Sequence, residues 1–331
     1  MEKITLIGEF GTDGNGVSKL NYLLLNNLRL YSDLNIGFLN QKQIYTRIPN
    51  IPLKRTIAIK LSQKLIKSIP NAHILSPFLI RNNDGKKRIV TVHDFYPFEA
   101  HASFKTRLLH RIWYSKESMS IPNYEKIIVI SESTKEKLKH IFPKIQEEKI
   151  EVIYPIVEPK KQKSPKNSNV IGYINNFNWN KTEKLLEFIN VFKTVKDATL
   201  RLHIYGNGFP FQNEIKSDKR IKYFGFLPES VFEDTLSSFD AYLSTSVIEG
   251  FGMPIMEAKS AKVPVICYDG DIPDITKRNT LIWNSANIHD ILDRRLWESF
   301  STNKAYNDSR LCLPKIIVKK HEICYKETFL S

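Results

Sequence analysis

At 331 residues the chain is long enough for two hydrophobic cores. Its 42% hydrophobic and 25% charged residues exclude a disordered or fibrous chain, and no apolar run approaches the roughly 20 residues of a spanning helix. The net charge of +14 is uneven, with 24 Lys and Arg against 13 Asp and Glu in residues 1–150 and 25 against 22 in the rest. A basic first half suits an anionic partner such as a membrane surface. No nucleic-acid motif accompanies the charge and it forms no single stripe, so nucleic acid is not expected as a partner. Cys267, Cys312 and Cys324 form no CxxC pair, which fits a reduced, cytoplasmic protein without a zinc site.

Lys3–Glu9 reads as a strand rather than a signal peptide. GTDGNG follows, then a helix in which Val17, Leu20, Leu24, Leu25 and Leu28 recur at helical spacing. A glycine-rich turn with Gly14 and Gly16 can bring backbone N–H groups to a phosphate. It is neither a P-loop, because Val17 stands where lysine is required, nor a dinucleotide fingerprint, because Lys19 stands where a third glycine is required. Residues 34–39 form a second strand candidate. Residues 53–69 form a basic amphipathic helix with Ile57, Leu61, Leu65 and Ile69 on one side. That stripe faces either the core or an anionic membrane. A second segment of this kind begins at Phe104.

Strand candidates at 73–80, 88–93 and 126–130 follow, and a helix is expected after the last, capped by Ser131 or Ser133. His93 stands at the carboxyl end of its strand, where functional side chains of α/β folds gather. Residues 155–168, rich in proline, lysine and serine, read as a linker. Strand and helix alternation then restarts at VIGYI and runs through LRLHIYGNG, IKYFGF and AYLSTS. This alternation specifies parallel sheets with helical crossovers.

The densest stretch is 244–274, STSVIEGFGMPIMEAKSAKVPVICYDGDIPD. Glu249 and Glu257 stand eight apart with Gly250 and Gly252 between them. Pro254 suits a helix start, which would place Glu257 in the first turn at the positive end of the dipole. The free N–H groups of that turn, approachable past the two glycines, would form a seat for a diphosphate. The apolar VPVICYD run reads as a parallel strand buried on both faces.

These segments, above all EGFGMPIMEA with LRLHIYGNG and IKYFGFLPES, resemble the carboxyl-terminal domain of family 4 retaining glycosyltransferases of the GT-B fold. GNGVS, TVHDFYPF and VISEST in the first half are similar to that family more loosely. The resemblance implies an α/β protein with two Rossmann-like parallel-sheet domains facing across a cleft. The first domain spans 1–155 and serves the acceptor, 156–168 is the linker, 169–310 is the nucleotide-sugar-binding domain, and 311–331 is a helix crossing back.

The implied activity moves a sugar from a nucleotide sugar (UDP-, GDP- or ADP-linked) to a glycan or lipid-linked acceptor. Configuration is retained, without a metal or other cofactor, at the cytoplasmic or inner membrane face. On this reading Glu249 contacts the sugar at the reacting centre, Lys181 neutralises the leaving diphosphate, and His93 lies near the donor sugar. Glu257 binds the ribose hydroxyls, the Phe251–Gly252–Met253 backbone holds sugar and diphosphate, and Gly14 and Gly16 close on diphosphate or acceptor. Asn176 stands where the family usually has an arginine, so the two-pronged cation is lost there. That departure admits an alternative, a non-catalytic glycosyltransferase-like subunit that binds a partner or a membrane.

Overall fold

The computed structural model describes residues 2–11, 16–47, 54–75, 82, 85–95, 119–162, 168–175, 177 and 179–330. The chain divides into two units, Met1–Ile156 with Pro314–Ser331 and Val157–Leu313. In chain order, the first unit contains β1 (Ile4–Gly8), α1 (Gly16–Tyr31), β2 (Ile36–Asn40), α2 (Gln41–Arg47) and α3 (Lys54–Lys67). It continues with β3 (Ala72–Ile74), β4 (Arg88–Val92), β5 (Lys126–Val129), α4 (Glu132–Ile141) and β6 (Ile150–Val152). The second contains β7 (Val170–Ile174), α5 (Trp179–Thr194), β8 (Arg201–Tyr205), α6 (Gln212–Ile215), β9 (Ile221–Tyr223), α7 (Glu229–Ser237) and β10 (Ala241–Ser244). After these come α8 (Met253–Ser260), β11 (Val265–Tyr268), α9 (Asp274–Lys277), β12 (Leu281–Trp283), α10 (Ile288–Asp293) and α11 (Asn303–Arg310). The last helix, α12 (Pro314–Phe329), belongs to the first unit.

In the first unit six strands pair in the order β2-β1-β3-β4-β5-β6, all parallel. Successive side chains on a strand point to opposite faces, so Ile127 and Val129 join one core with Ile66 and Leu138, while Ile128 joins another with Leu24, Leu28 and Ile317. Both faces are therefore covered, as a parallel sheet requires. Helix α12 buries Ile317, Val318, His321, Cys324 and Tyr325 at helical spacing against the same core as α1. Ser131 caps α4, its Oγ accepting from the Thr134 N–H at 3.1 Å, a bond worth about 1 kcal/mol.

The apolar stripe of α3 is divided between the two readings. Leu61 is 43% and Leu65 47% exposed, whereas Ile69, just past the helix end, packs against the core. Among the side chains described, α3 buries Ser62 and Ile66. The basic segment beginning at Phe104 lies outside the described residues.

The second unit repeats the architecture with strand order β12-β11-β10-β7-β8-β9, again all parallel. Cys267 on β11 faces a core with Leu236 and Ile255, while its neighbour Ile266 faces one with Phe188 and Trp283. Gly172 on β7 is required by close packing, since a Cβ there would fall 2.0 Å from the Phe239 ring. The strand order reverses between β7 and β10, so the loops that follow these two strands flank the sheet's switch point, where open α/β sheets bind ligands.

Candidate active site

The loop after β7 and the start of α5 bring Asn175 and Lys181 to the switch point, and the loop after β10 brings Thr245–Gly252. Lys181 Nζ lies 3.0 Å from Glu249 Oε1 and donates to Asn175 Oδ1 at 2.7 Å. Ser246 Oγ donates to the same Glu249 oxygen at 2.7 Å. With Oε1 engaged twice, Oε2 has no partner among the described residues. The two charged side chains are 12% and 20% exposed, so water and salt screen them less than a surface pair. The two residues separated by 68 positions that the sequence singled out are thus in direct contact.

The backbone around Glu249 is pinned from two sides. Glu249 N–H donates to Asp271 O at 3.1 Å, and Asn180 and Thr245 tie the loop to α5. Sequence reasoning passed over Asn175, Asn180, Thr245 and Ser246.

Gly252, at φ +84°, is the N-cap of α8, and a Cβ there would fall 2.9 Å from Thr276 Cγ2. That conformation and that space both call for glycine. The first turn of α8 is a narrower anion seat than its sequence suggests. Pro254 has no N–H, and Ile255 N–H already bonds Gly252 O at 3.1 Å. The N–H groups of Gly252 and Met253 have no partner among the described residues and remain as donors. Phe251 is buried, with its carbonyl accepting from Thr276 Oγ1 at 2.5 Å.

Glu257 requires a correction. Helix α8 begins at Met253, so Glu257 is its fifth residue and the first turn holds no acidic residue. The helix dipole acts mainly within the first turn, and Glu257 gains little from it. It is 6% exposed and is met instead by Lys160, whose Nζ lies 3.8 Å from Oε1.

His93 follows β4 in the first unit. Its Nε2–H donates to Leu75 O at 2.9 Å, which leaves a buried Nδ1 lone pair without a partner. Burial lowers its pKa to about 4, so the ring is neutral near pH 7 and offers an acceptor. It lines a cavity with Asn21, Thr91 and His321. Gly16 is the exposed first residue of α1. Gly14 and Asn176 lie outside the described residues. Among the described residues no group of three or more His, Cys, Asp or Glu is placed to hold a metal ion, and no helix is long and apolar enough to cross a membrane. All three cysteines are buried.

Two family models match the chain, Glycosyltransferase Family 4 over residues 43–161 and Glycosyl transferases group 1 over 168–295. A curated relative, the phosphatidylinositol N-acetylglucosaminyltransferase GPI3 subunit of Saccharomyces cerevisiae, is 23% identical over 86% of this chain and 64% of its own length. The chain therefore spans less than two thirds of that relative. Among solved structures, sucrose-phosphate synthase from Thermosynechococcus elongatus superposes with a TM-score of 0.71 at 13% identity, covering all of both chains. Anabaena HepE in complex with UDP-glucose superposes with a TM-score of 0.68 at 14% identity, covering 99% of each chain. The paired parallel sheets are those of GT-B structures, and with both halves matched by their own models the chain belongs to the family 4 glycosyltransferases.

Proposed function

We propose that this chain transfers a sugar from a nucleoside-diphosphate donor to a hydroxyl acceptor with retention of anomeric configuration and without a metal. The observation that carries the reading is the Lys181–Glu249–Ser246 cluster at the switch point of the second sheet, on the same loop as the Gly252 and Met253 N–H donors. A bound diphosphate competes for Lys181 and draws its ammonium toward the oxygens on which charge develops as the sugar leaves. A preorganised donor of that kind is typically worth about 3–4 kcal/mol of barrier. Glu249 stays close enough to accept from the sugar through Oε2, and Glu257 accepts from the ribose hydroxyls.

In the reaction the bond from the anomeric carbon to the diphosphate oxygen breaks, and the acceptor oxygen bonds to that carbon on the same face. The acceptor's proton passes to the departing diphosphate, so no separate base is assigned. His93, neutral and with a free Nδ1 lone pair, suits accepting a hydrogen bond from a sugar hydroxyl.

The donor class draws on the relatives. HepE holds UDP-glucose and the yeast protein is named for N-acetylglucosaminyl transfer, which puts UDP-sugars first, ahead of GDP- and ADP-sugars. The yeast name also includes phosphatidylinositol, and a lipid-linked acceptor fits the half-exposed Leu61 and Leu65 among Lys60, Lys64 and Lys67 on α3.

Calorimetric titration and donor turnover with UDP-glucose, UDP-N-acetylglucosamine and their GDP and ADP counterparts test the proposal. One donor is expected to bind and turn over, with Glu249→Ala and Lys181→Ala each reducing turnover by about a hundredfold or more in a folded chain. Wild-type turnover in both variants would overturn it. The word "subunit" in the yeast relative's name supports a second reading, a non-catalytic partner-binding chain. That reading gains if no donor binds.

A further inference from the structure

Val157–Gln162, read from the sequence as linker, is clasped onto the second unit. Lys160 N–H donates to Ser260 Oγ at 3.1 Å, Ser260 Oγ donates to Glu158 O at 3.4 Å, and Gln162 Nε2 donates to Ser260 O at 3.0 Å. These three contacts converge on the last residue of α8, the helix that carries Glu257. On the other side, Lys161 pairs with Asp234 of α7 at 2.6 Å, and its N–H donates to Glu233. The backbone is therefore fixed on both sides of Lys160.

From that anchor the Lys160 side chain passes over the Phe232 ring, with Nζ 5.6 Å from its centroid, and ends 3.8 Å from Glu257 Oε1. The Lys160 side chain is 11% exposed and that of Glu257 8%. A carboxylate so little hydrated favours its neutral form unless a cation stands beside it. Among the described residues, the other titratable groups near it are engaged elsewhere. Tyr242, beneath it on β10, is kept protonated by burial. Lys259, on its own helix, is turned to Asp308 of α11, and Lys161 is turned to Asp234 of α7.

We propose that Lys160 is a positioning residue for nucleotide binding: it keeps Glu257 ionised and fixed, so that both carboxylate oxygens act as acceptors for the ribose diol. The inference rests on the proposed contact between Glu257 and the ribose. A protonated Glu257 would present a hydroxyl to hydroxyls and lose an acceptor. Lys160 would never touch the donor; its effect passes through Glu257.

The test uses the full chain, with UDP, GDP and ADP as probes in calorimetric titrations from pH 6 to pH 8. The terminal phosphate of each probe itself titrates at about pH 6, so each variant is read as its affinity relative to wild type at the same pH. Lys160→Met is expected to weaken binding about tenfold near pH 6 and less near pH 8, since loss of the cation raises the pH at which Glu257 protonates. Lys160→Arg should restore the wild-type profile. In a Glu257→Gln background, Lys160→Met should change nothing further. Lys160→Gln serves as a second neutral variant that retains the backbone contacts. Binding by both neutral variants that matches wild type at every pH, with Glu257→Gln still weakening it, would overturn this proposal and leave the function standing. Failure of wild type to bind any of the three nucleotides would overturn the function and this proposal together.

Discussion

Asn180 treats Ile248 as a neighbouring strand would. Its Oδ1 accepts from Ile248 N–H at 2.8 Å and its Nδ2 donates to Ile248 O at 2.6 Å, while Asn180 O accepts from Val247 N–H at 3.0 Å. One side chain at the start of α5 thereby fixes the two residues before Glu249, and its neighbour in sequence is the lysine that pairs with that glutamate.

Asn180→Ala would leave both polar groups of Ile248 without their partner. The expected stability loss is about 1–3 kcal/mol, the usual cost of stranding groups in a part-buried loop. Donor turnover should fall by more than stability explains, because among the described residues Glu249 is then held by Ser246, Lys181 and the Asp271 carbonyl alone. Denaturant melts together with single-turnover kinetics decide it. Unchanged turnover in a destabilised variant would show that the clasp serves the fold alone.

A second expectation concerns acid. His73, His93 and His321 are all buried in the first unit. His73 bridges Tyr325 on α12 and Thr91 on β4 at 2.7 Å each, so it ties the last helix to the sheet. Burial lowers the pKa of His93 and of His321 to about 4, and that of His73 well below its usual value. In the unfolded chain these rings take up protons near pH 6.5, whereas in the folded chain they resist until near pH 4. Their neutrality thus costs nothing above about pH 6.5, and stability drains away as pH falls from there toward 4. The loss is about 3 kcal/mol for each ring shifted to near 4. Hydrogen exchange of peptides from 70–93 and 314–329 should accelerate between pH 6.5 and pH 4.5 after correction for intrinsic rates. Protection that is constant over this range would contradict histidine burial as the source of acid sensitivity.

The sequence pattern carried the two parallel sheets because buried parallel strands read as short apolar runs, as in IIVI and VPVICY. Glu249 was legible because it sits beside the glycines of a loop between a strand and a helix, whereas Lys181 was legible only through the resemblance to the family. The position of Glu257 was misjudged because proline is tolerated at the second helical position as well as the first. The helix therefore starts at Met253, one residue earlier than Pro254 suggested. Lys160 was not legible at all. Nothing local marks a lysine in a proline-rich run, and its meaning comes from a contact 97 positions away. The same holds for Ser62, a polar residue buried where Leu61 and Leu65 were the obvious candidates.

Those two leucines lead to a third expectation. They lie one helical turn apart on α3, with Lys60, Lys64 and Lys67 exposed around them. An anionic lipid surface would satisfy both kinds of side chain. Sedimentation with phosphatidylglycerol vesicles is expected to exceed that with phosphatidylcholine and to weaken with salt. Leu61→Gln with Leu65→Gln should reduce it about tenfold with little effect on stability, since the removed surface is already half in water. Equal sedimentation of the variant, or none by wild type, would remove the membrane from the picture.

The last expectation separates two costs at neighbouring glycines. Gly206, after β8, has φ +139°, and Gly208 has φ +75°. Both are unfavourable for a side chain, which alone costs on the order of 1–3 kcal/mol. They differ in what a Cβ would meet. At Gly208 nothing lies within 4 Å, whereas at Gly206 the Cβ would fall 1.8 Å from Asn175 O, a backbone atom that must be displaced. Asn175 is also the residue whose Oδ1 holds Lys181 Nζ at 2.7 Å. Gly208→Ala is therefore expected to lower stability modestly and leave nucleotide affinity intact. Gly206→Ala should cost more stability and, by shifting Asn175, weaken nucleotide binding as well. Thermal unfolding with and without the bound nucleotide reads both quantities in one experiment. If Gly206→Ala loses stability but keeps the full nucleotide-induced shift, the Asn175 side chain does not position Lys181 for the ligand. If it loses the shift as well, the hold of Asn175 on Lys181 belongs to the site and not to the fold alone.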